Sequence, residues 1–108
     1  MPKQLLVYMT SWCPSCRDTQ EALNEWGVTA RFANIGRDPE AAARVRQLTG
    51  FESVPTLVIV DGGGSEPCET PDPLPQGRGP RGIDRGTVLT EPNRTQLRAW
   101  LTKHNFIA

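Results

Sequence analysis

The chain has 108 residues, of which 37% are hydrophobic and 22% are charged, and its formal net charge is zero. This length predicts one domain over residues 1–108, and the balanced charge excludes both the basic surface of a nucleic-acid-binding protein and a polybasic membrane patch. No apolar run approaches the roughly 18 residues that span a bilayer, and the N-terminal apolar run is too short for a secretory signal. An odd number of cysteines argues against a secreted disulfide framework. We therefore expect a cytoplasmic protein that contacts no membrane.

The N-terminal part of the chain predicts a strand followed by a helix. The continuous apolar run at residues 5–9 is typical of a strand that is buried on both faces. Residues 14–26 predict a helix, because Cys16 begins a stripe of inward-facing residues at helical spacing. Pro14 suits the first turn, where its missing N–H needs no partner. Cys13 therefore lies at the helix N-terminus, and Cys16 points inward.

The rest of the chain continues the alternation of strands and helices, with one interruption. The predicted elements are a strand at 30–35, a helix within 37–50, strands at 56–60 and 86–92, and a last helix that begins at Asn93. An N-cap followed by proline marks the second helix, and Asn93 with Gln96 gives a capping-box pattern for the last one. Residues 62–86 contain seven glycines and five prolines. This composition predicts an irregular, mobile loop insertion, which is either a functional flap or disordered.

The order of these elements predicts an α/β fold. We expect a mixed four-stranded sheet with three helices on its faces and the Gly/Pro-rich insertion before the last strand. We expect both helix-bearing crossovers to join parallel strands and the last two strands to pair antiparallel.

Residues 11–16 read S-W-C-P-S-C, and this cysteine pair has three possible roles. A structural zinc site needs four ligands, and Cys68 and His104 do not have ligand spacing, so we expect no bound metal. A structural disulfide closing so small a loop would constrain the unfolded chain little and would not suit a reducing cytosol. A thiol at a helix N-terminus is instead favoured as a thiolate, and a second thiol one turn later can close a disulfide with it. The pair therefore predicts redox chemistry, with Cys13 attacking and Cys16 resolving.

The strand, the T-S-W-C-P-S-C motif, the helix and the later S-V-P-T before a strand together resemble the glutaredoxin branch of the thioredoxin-fold family. The resemblance covers about residues 3–61 and, more loosely, residues 86–104. It implies a thioredoxin-like fold and a redox-active pair in which Cys13 is the nucleophile and Cys16 the resolving thiol. Proline directly after the first cysteine, here Pro14, resembles the C-P-x-C motif of dithiol glutaredoxins.

The resemblance also implies how substrates bind. The family has a cis peptide bond before the proline of a V-P pair, here Val54–Pro55. The main chain of Val54 would then pair with an extended, peptide-like substrate. Trp12 either shields the reactive sulfur and contacts substrates or only packs. Arg37 matches a polar or basic position that would bind the carboxylate of a thiol, and the alternative is a solvated arginine.

Two departures from the family pattern leave the thiol co-substrate open. Ser15 replaces the usual tyrosine, and T-E-P-N-R-T replaces the Gly-Gly-Cys corner that helps hold the carboxylate of the thiol in the family. The latter is closer to mycoredoxin-like proteins, so glutathione, mycothiol and bacillithiol all remain candidates. The backbone N–H groups at the start of the last helix can still receive a carboxylate.

We therefore expect a monomeric dithiol oxidoreductase without a bound cofactor. It would reduce protein disulfides or thiol mixed disulfides, with electrons from a low-molecular-weight thiol or a flavin reductase. One alternative is an iron–sulfur cluster carrier of the glutaredoxin type. Cys16 and Pro14 count against it, because the cluster-binding branch lacks the second cysteine and has glycine after the first. The other alternative is an interaction module whose 62–86 loop binds a partner.

Overall fold

The strands and helices follow the predicted order. The structure is a computed structural model, and it describes residues 2–108. The strands are β1 (Lys3–Met9), β2 (Arg31–Asn34), β3 (Thr56–Asp61) and β4 (Val88–Thr90), and the helices are α1 (Pro14–Glu25), α2 (Pro39–Thr49) and α3 (Arg94–Lys103). The predicted α/β fold with a mixed four-stranded sheet and three helices is confirmed.

The sheet has the strand order β2-β1-β3-β4. β1 and β2 are parallel, as predicted for the crossover through α1, and β3 and β4 pair antiparallel, also as predicted. The prediction of a second parallel crossover is wrong: α2 leads from β2 to β3, and β3 is antiparallel to β1. A short apolar run has the same pattern in either direction, so its periodicity does not determine how the strand is oriented.

Each face of the sheet has its own apolar core. Leu5 and Val7 of β1 face α1 and α3, whereas Leu6 and Tyr8 face α2. All four of these side chains are buried, which confirms that the first strand is covered on both faces. The alternation follows from the two-residue period of a strand, and it fixes the carboxyl end of β1 firmly between two helical layers.

Local sequence signals set the ends of the helices. Cys13 is the N-cap of α1, and Asp38 is the N-cap of α2. α2 ends at Gly50, whose φ of 81° is a left-handed conformation that glycine adopts without steric cost. Asn93 and Gln96 form the predicted capping box of α3. The helix that carries the cysteine pair therefore begins at the first cysteine.

Residues 62–86, all of which the structure describes, form neither a helix nor a strand. Polar contacts nevertheless fasten this segment to the body of the protein. The buried side chain of Arg85 donates hydrogen bonds to the carbonyl groups of Asp72 and Leu48, at 2.7 and 2.6 Å. The Thr87 hydroxyl donates to the Glu69 carbonyl at 2.8 Å. The mobility of this segment stays a prediction.

Candidate active site

The cysteine pair lies where β1 ends and α1 begins. Cys13 caps the helix with its sulfur, because Cys13 Sγ accepts a hydrogen bond from the backbone N–H of Cys16 at 3.1 Å. Pro14 is the first helical residue. A sulfur at this place meets the free N–H groups and the positive end of the helix dipole, both of which stabilise a negative charge.

The two thiols differ in exposure, and burial changes the pKa of Cys16. Cys13 is half-buried, whereas Cys16 is only 1% exposed. Burial, followed by the hydrogen bond to Cys13, raises the pKa of Cys16 to about 12, although the backbone of Thr10 acts in the opposite direction. Cys16 therefore keeps its proton at neutral pH.

The peptide bond between Val54 and Pro55 is cis, as predicted. The carbonyl oxygen of Val54 lies 3.8 Å from Cys13 Sγ and accepts a hydrogen bond from that thiol. Pro55 is buried, and its carbonyl accepts a hydrogen bond from the Glu91 N–H at 2.7 Å. Within residues 2–108, neither the N–H nor the carbonyl of Val54 has a backbone partner. The N–H is thus available to an extended chain, and the carbonyl becomes available when the Cys13 thiol no longer donates to it.

Four of the predicted site residues line one groove. Trp12, Cys13, Pro14 and Val54 surround a volume of about 460 Å³, which we name the Cys13 groove. Trp12 is 73% exposed, and its ring lies over Gly36, where a Cβ atom would come within 2.7 Å of Trp12 Cη2. Trp12 therefore presents an apolar ring to the groove instead of packing in a core. The groove is completed by Thr10, Ile35, Gly36 and Glu52.

Arg37 and Pro55 do not line the Cys13 groove. Pro55 is buried, whereas Arg37 is exposed. The backbone N–H of Arg37 donates to the Asn34 carbonyl at 3.1 Å in the turn that follows β2. A role of Arg37 in carboxylate binding stays a prediction.

A second hollow on the other side of Pro14 contains residues that sequence reasoning did not identify. It has a volume of about 660 Å³ and lies between the starts of α1 and α3 and the 62–86 segment; we name it the Glu91 hollow. Glu91 has a left-handed φ of 47°, and its carboxylate pairs with Arg81 Nε at 2.6 Å. Arg81 itself is placed by a backbone bridge to Thr90. No motif or periodicity in the sequence indicates this pairing, because an irregular segment brings Arg81 to the hollow.

The start of α3 borders the Glu91 hollow, but part of its capacity for a carboxylate is already used. The Gln96 N–H donates to Asn93 Oδ1 at 2.8 Å, and the Asn93 N–H donates to Gln96 Oε1 at 2.9 Å. Arg94 lies in ion pairs with Asp18 and Glu25. A carboxylate at this helix end would therefore compete with an existing capping box.

The remaining candidate ligands lie apart from the cysteine pair. Cys68 packs against the core on the α1 and α3 face, and His104 Nε2 lies 2.9 Å from the Gly86 carbonyl. Among residues 2–108, no three His, Cys, Asp or Glu side chains are grouped so that they could hold a metal ion. In the same range no helix has the length and apolar character needed to cross a membrane.

The first part of the chain matches a known protein family. A family model described as Glutaredoxin matches residues 5–63. This range contains both cysteines of the pair and the cis Val54–Pro55 bond, and it ends where the 62–86 segment begins. A search of the curated proteins found no match to the chain.

Proposed function

We propose a function from the family of the chain: it belongs to the glutaredoxin family of thiol–disulfide oxidoreductases and has the thioredoxin-like fold of that family. The proposed function is that of a dithiol enzyme, which reduces protein disulfides or thiol mixed disulfides through Cys13 and Cys16. One observation carries this proposal. Cys13 Sγ caps α1 at 3.1 Å from the Cys16 N–H and borders an open groove, while Cys16 is buried one turn further along the helix.

In the first step, the Cys13 thiolate attacks one sulfur of the substrate disulfide. A bond forms between Cys13 Sγ and that sulfur, the substrate S–S bond breaks, and the leaving sulfur takes up a proton. The Cys16 N–H and the helix dipole stabilise the attacking thiolate. The main-chain groups of Val54 orient an extended substrate beside it.

In the second step, Cys16 gives up its proton and attacks Cys13 Sγ. The Cys13–Cys16 disulfide forms, the second substrate sulfur leaves as a thiol, and two electrons have passed to the substrate. The raised pKa of Cys16 delays this attack until it is needed. A negative charge on Cys13 is one of the causes that raise the pKa of Cys16. Once Cys13 is part of a mixed disulfide, its sulfur carries no negative charge, so the pKa of Cys16 falls and its proton leaves more easily.

Two electrons from outside must then reduce the Cys13–Cys16 disulfide. We propose a low-molecular-weight thiol (glutathione, mycothiol or bacillithiol) or a flavin reductase as their source. The Glu91 hollow has room for the non-cysteine part of such a thiol beside Pro14. Turnover measured with each donor in parallel identifies the source.

The test of the mechanism is the turnover of three single variants on a protein disulfide and on a thiol mixed disulfide. Cys13→Ser is expected to lose both activities, because no nucleophile remains. Cys16→Ser is expected to lose reduction of the protein disulfide and to keep reduction of the mixed disulfide, which a second small thiol can complete. Cys68→Ser is the matched control, because Cys68 lines neither the Cys13 groove nor the Glu91 hollow. We expect this variant to behave as the wild type does. Wild-type turnover by Cys13→Ser would falsify the proposal.

A further inference from the structure

A third hollow lies on the α2 face of the sheet and shares no lining residue with the Cys13 groove or the Glu91 hollow. Its volume is about 250 Å³. Leu6 and Tyr8 of β1 form the floor, the first turns of α2 form one wall, and Ser65 lies at the rim. We name it the Tyr8 pocket. The proposed redox chemistry uses no residue of this pocket.

The hydroxyl of Tyr8 has no partner in this pocket. The Tyr8 side chain is 2% exposed, and among residues 2–108 its hydroxyl makes no hydrogen bond. No fully buried side-chain oxygen in the described chain lacks a partner, so the Tyr8 hydroxyl faces the open space of the pocket. Burial raises the pKa of Tyr8, against the opposing charges of Arg44 and Arg31, so the phenol stays protonated and able to donate.

Two guanidinium groups line the pocket beside this hydroxyl. Arg31 donates to the Gly64 carbonyl, and Arg44 pairs with the Glu66 carboxylate at 2.5 Å. Glu66 is 73% exposed, and an ion pair with so exposed a partner contributes little to stability. Glu66 is therefore an easily displaced carboxylate of the chain itself. Its position shows that Arg44 can bind a carboxylate here.

Within residues 2–108, the acidic residues that line the pocket form no ion pair with its two arginines. Asp38 Oδ1 is already occupied, because it accepts hydrogen bonds from the N–H groups of Glu40 and Ala41 at 3.0 and 3.3 Å. The side chain of Glu40 is exposed on the first turn of α2. The positive end of the α2 dipole also points towards this part of the molecule. The two guanidinium groups and the Tyr8 hydroxyl are hydrogen-bond donors, so they favour a negative ligand.

We propose that the Tyr8 pocket binds a small oxyanion, a phosphate or a carboxylate, through the guanidinium groups of Arg31 and Arg44 and the hydroxyl of Tyr8. The planar fork of arginine matches two oxygen atoms of either group. The oxyanion replaces Glu66 on Arg44 and competes with Gly64 for Arg31. Binding consequently releases the start of the 62–86 segment and requires neither Cys13 nor Cys16.

The experiment titrates the full chain with inorganic phosphate and, in a separate arm, with succinate. Ionic strength is matched with sodium chloride, and binding is followed by calorimetry and by the backbone amide signals of Ala41, Gly64 and Ser65. We expect saturable binding that shifts the signals of these amides. The anion that binds more tightly shows whether the pocket prefers a phosphate or a carboxylate. Chloride alone giving the same shifts, or no saturable binding of either anion, overturns the proposal.

Four variants test the assigned contacts. Arg44→Gln is expected to weaken binding by about tenfold and Tyr8→Phe, which keeps the buried ring, by about threefold. Glu66→Gln is expected to strengthen it by about threefold, because the internal competitor is lost. Arg46→Gln on the same helix, whose exposed side chain pairs with Glu52, is the control.

These variants separate ligand contacts from structural effects. If the pocket has only a structural role, Glu66→Gln does not raise the affinity for the anion. An unchanged affinity for the anion in both Glu66→Gln and Arg44→Gln overturns the proposal. Cys13→Ser protein is expected to bind as the wild type does, since Cys13 does not line the Tyr8 pocket.

Discussion

Different interactions hold two regions of this molecule in place, the corner that carries the cysteine pair and the 62–86 segment. The cysteine corner, residues 10–16, joins β1 to α1, and both elements are anchored in apolar cores by side chains such as Val7 and Leu23. The 62–86 segment belongs to no helix or strand and is fastened by a few polar contacts, above all those of Arg85. Apolar burial is spread over many side chains, whereas a buried hydrogen bond depends on two groups. The segment should therefore be loosened by single changes that leave the corner intact.

The largest expected effect concerns the asymmetry within the cysteine corner. At neutral pH, we expect Cys16 of the native protein to react with iodoacetamide at least about a hundredfold more slowly than in the urea-unfolded chain, because it is buried and holds little thiolate. Peptide-level mass spectrometry measures both rates, and Cys13, which borders an open groove, is the control in the same molecule. Equal native rates at the two cysteines would contradict the asymmetry.

The raised pKa of Cys16 also sets the sign of a pH dependence. Between the ordinary value of 9.0 and the folded value of about 12, the unfolded chain loses this proton and the folded chain keeps it. Unfolding then releases a proton, so the contribution of Cys16 to stability is complete below this window and is lost as pH rises through it. Urea unfolding at about pH 8 and about pH 10 should show a steeper loss in the wild type than in Cys16→Ala. Parallel slopes would exclude this account.

In the 62–86 segment, the largest effect is expected from Arg85→Gln. The change removes charge-assisted hydrogen bonds to two carbonyl groups, so we expect a loss of about 2 to 4 kcal/mol in the free energy of unfolding. Amide hydrogen exchange should increase in the segment, while turnover through Cys13 stays near that of the wild type. Arg78→Gln, which changes an exposed arginine of the same segment, is the control. A matching loss of turnover would mean that the segment and the corner are coupled.

The same contrast explains what the sequence could predict. The order of elements, the start of α1 at Pro14, the cap of α3 at Asn93 and the end of α2 at Gly50 follow from signals between neighbouring residues. The direction of β3 does not, because an apolar run has the same pattern both ways. Arg85 also gave no signal: its partner Leu48 lies 37 residues earlier, and only the folded chain brings them together.

The candidate site divides in the same way. Cys13, Cys16 and Val54 were predicted from short motifs and the family resemblance. Glu91 and the contact of Trp12 with Gly36 were not, because the tertiary structure brings these residues to the grooves from other elements. Motifs therefore indicated the atoms that we propose to react, whereas the residues that shape the space around them required the structure.

A smaller effect is expected at the boundary between the two regions, where α3 begins. Asn93→Ala removes the side chain that accepts the Gln96 N–H, and an N-cap change of this kind costs about 1 kcal/mol. Thermal or urea unfolding measures the loss. Thr95→Ala, an exposed change in the same turn of the helix, is the control. An equal loss in both variants would mean that the capping hydrogen bond is not the cause.

The smallest effect is expected for Arg81→Gln, four residues before Arg85 in the same segment. Arg81 and Glu91 are 2.6 Å apart, but the Arg81 side chain is 81% exposed, so water screens the pair and replaces it when it breaks. We expect a change below about 1 kcal/mol in the free energy of unfolding. Urea unfolding and hydrogen exchange, measured beside Arg85→Gln, compare an exposed arginine with a buried one at similar bond lengths. If Arg81→Gln loosens the segment as much as Arg85→Gln does, burial does not explain the stabilising effect of Arg85. The contrast between the cysteine corner, which apolar burial stabilises, and the 62–86 segment, which a few buried polar contacts stabilise, then has to be abandoned.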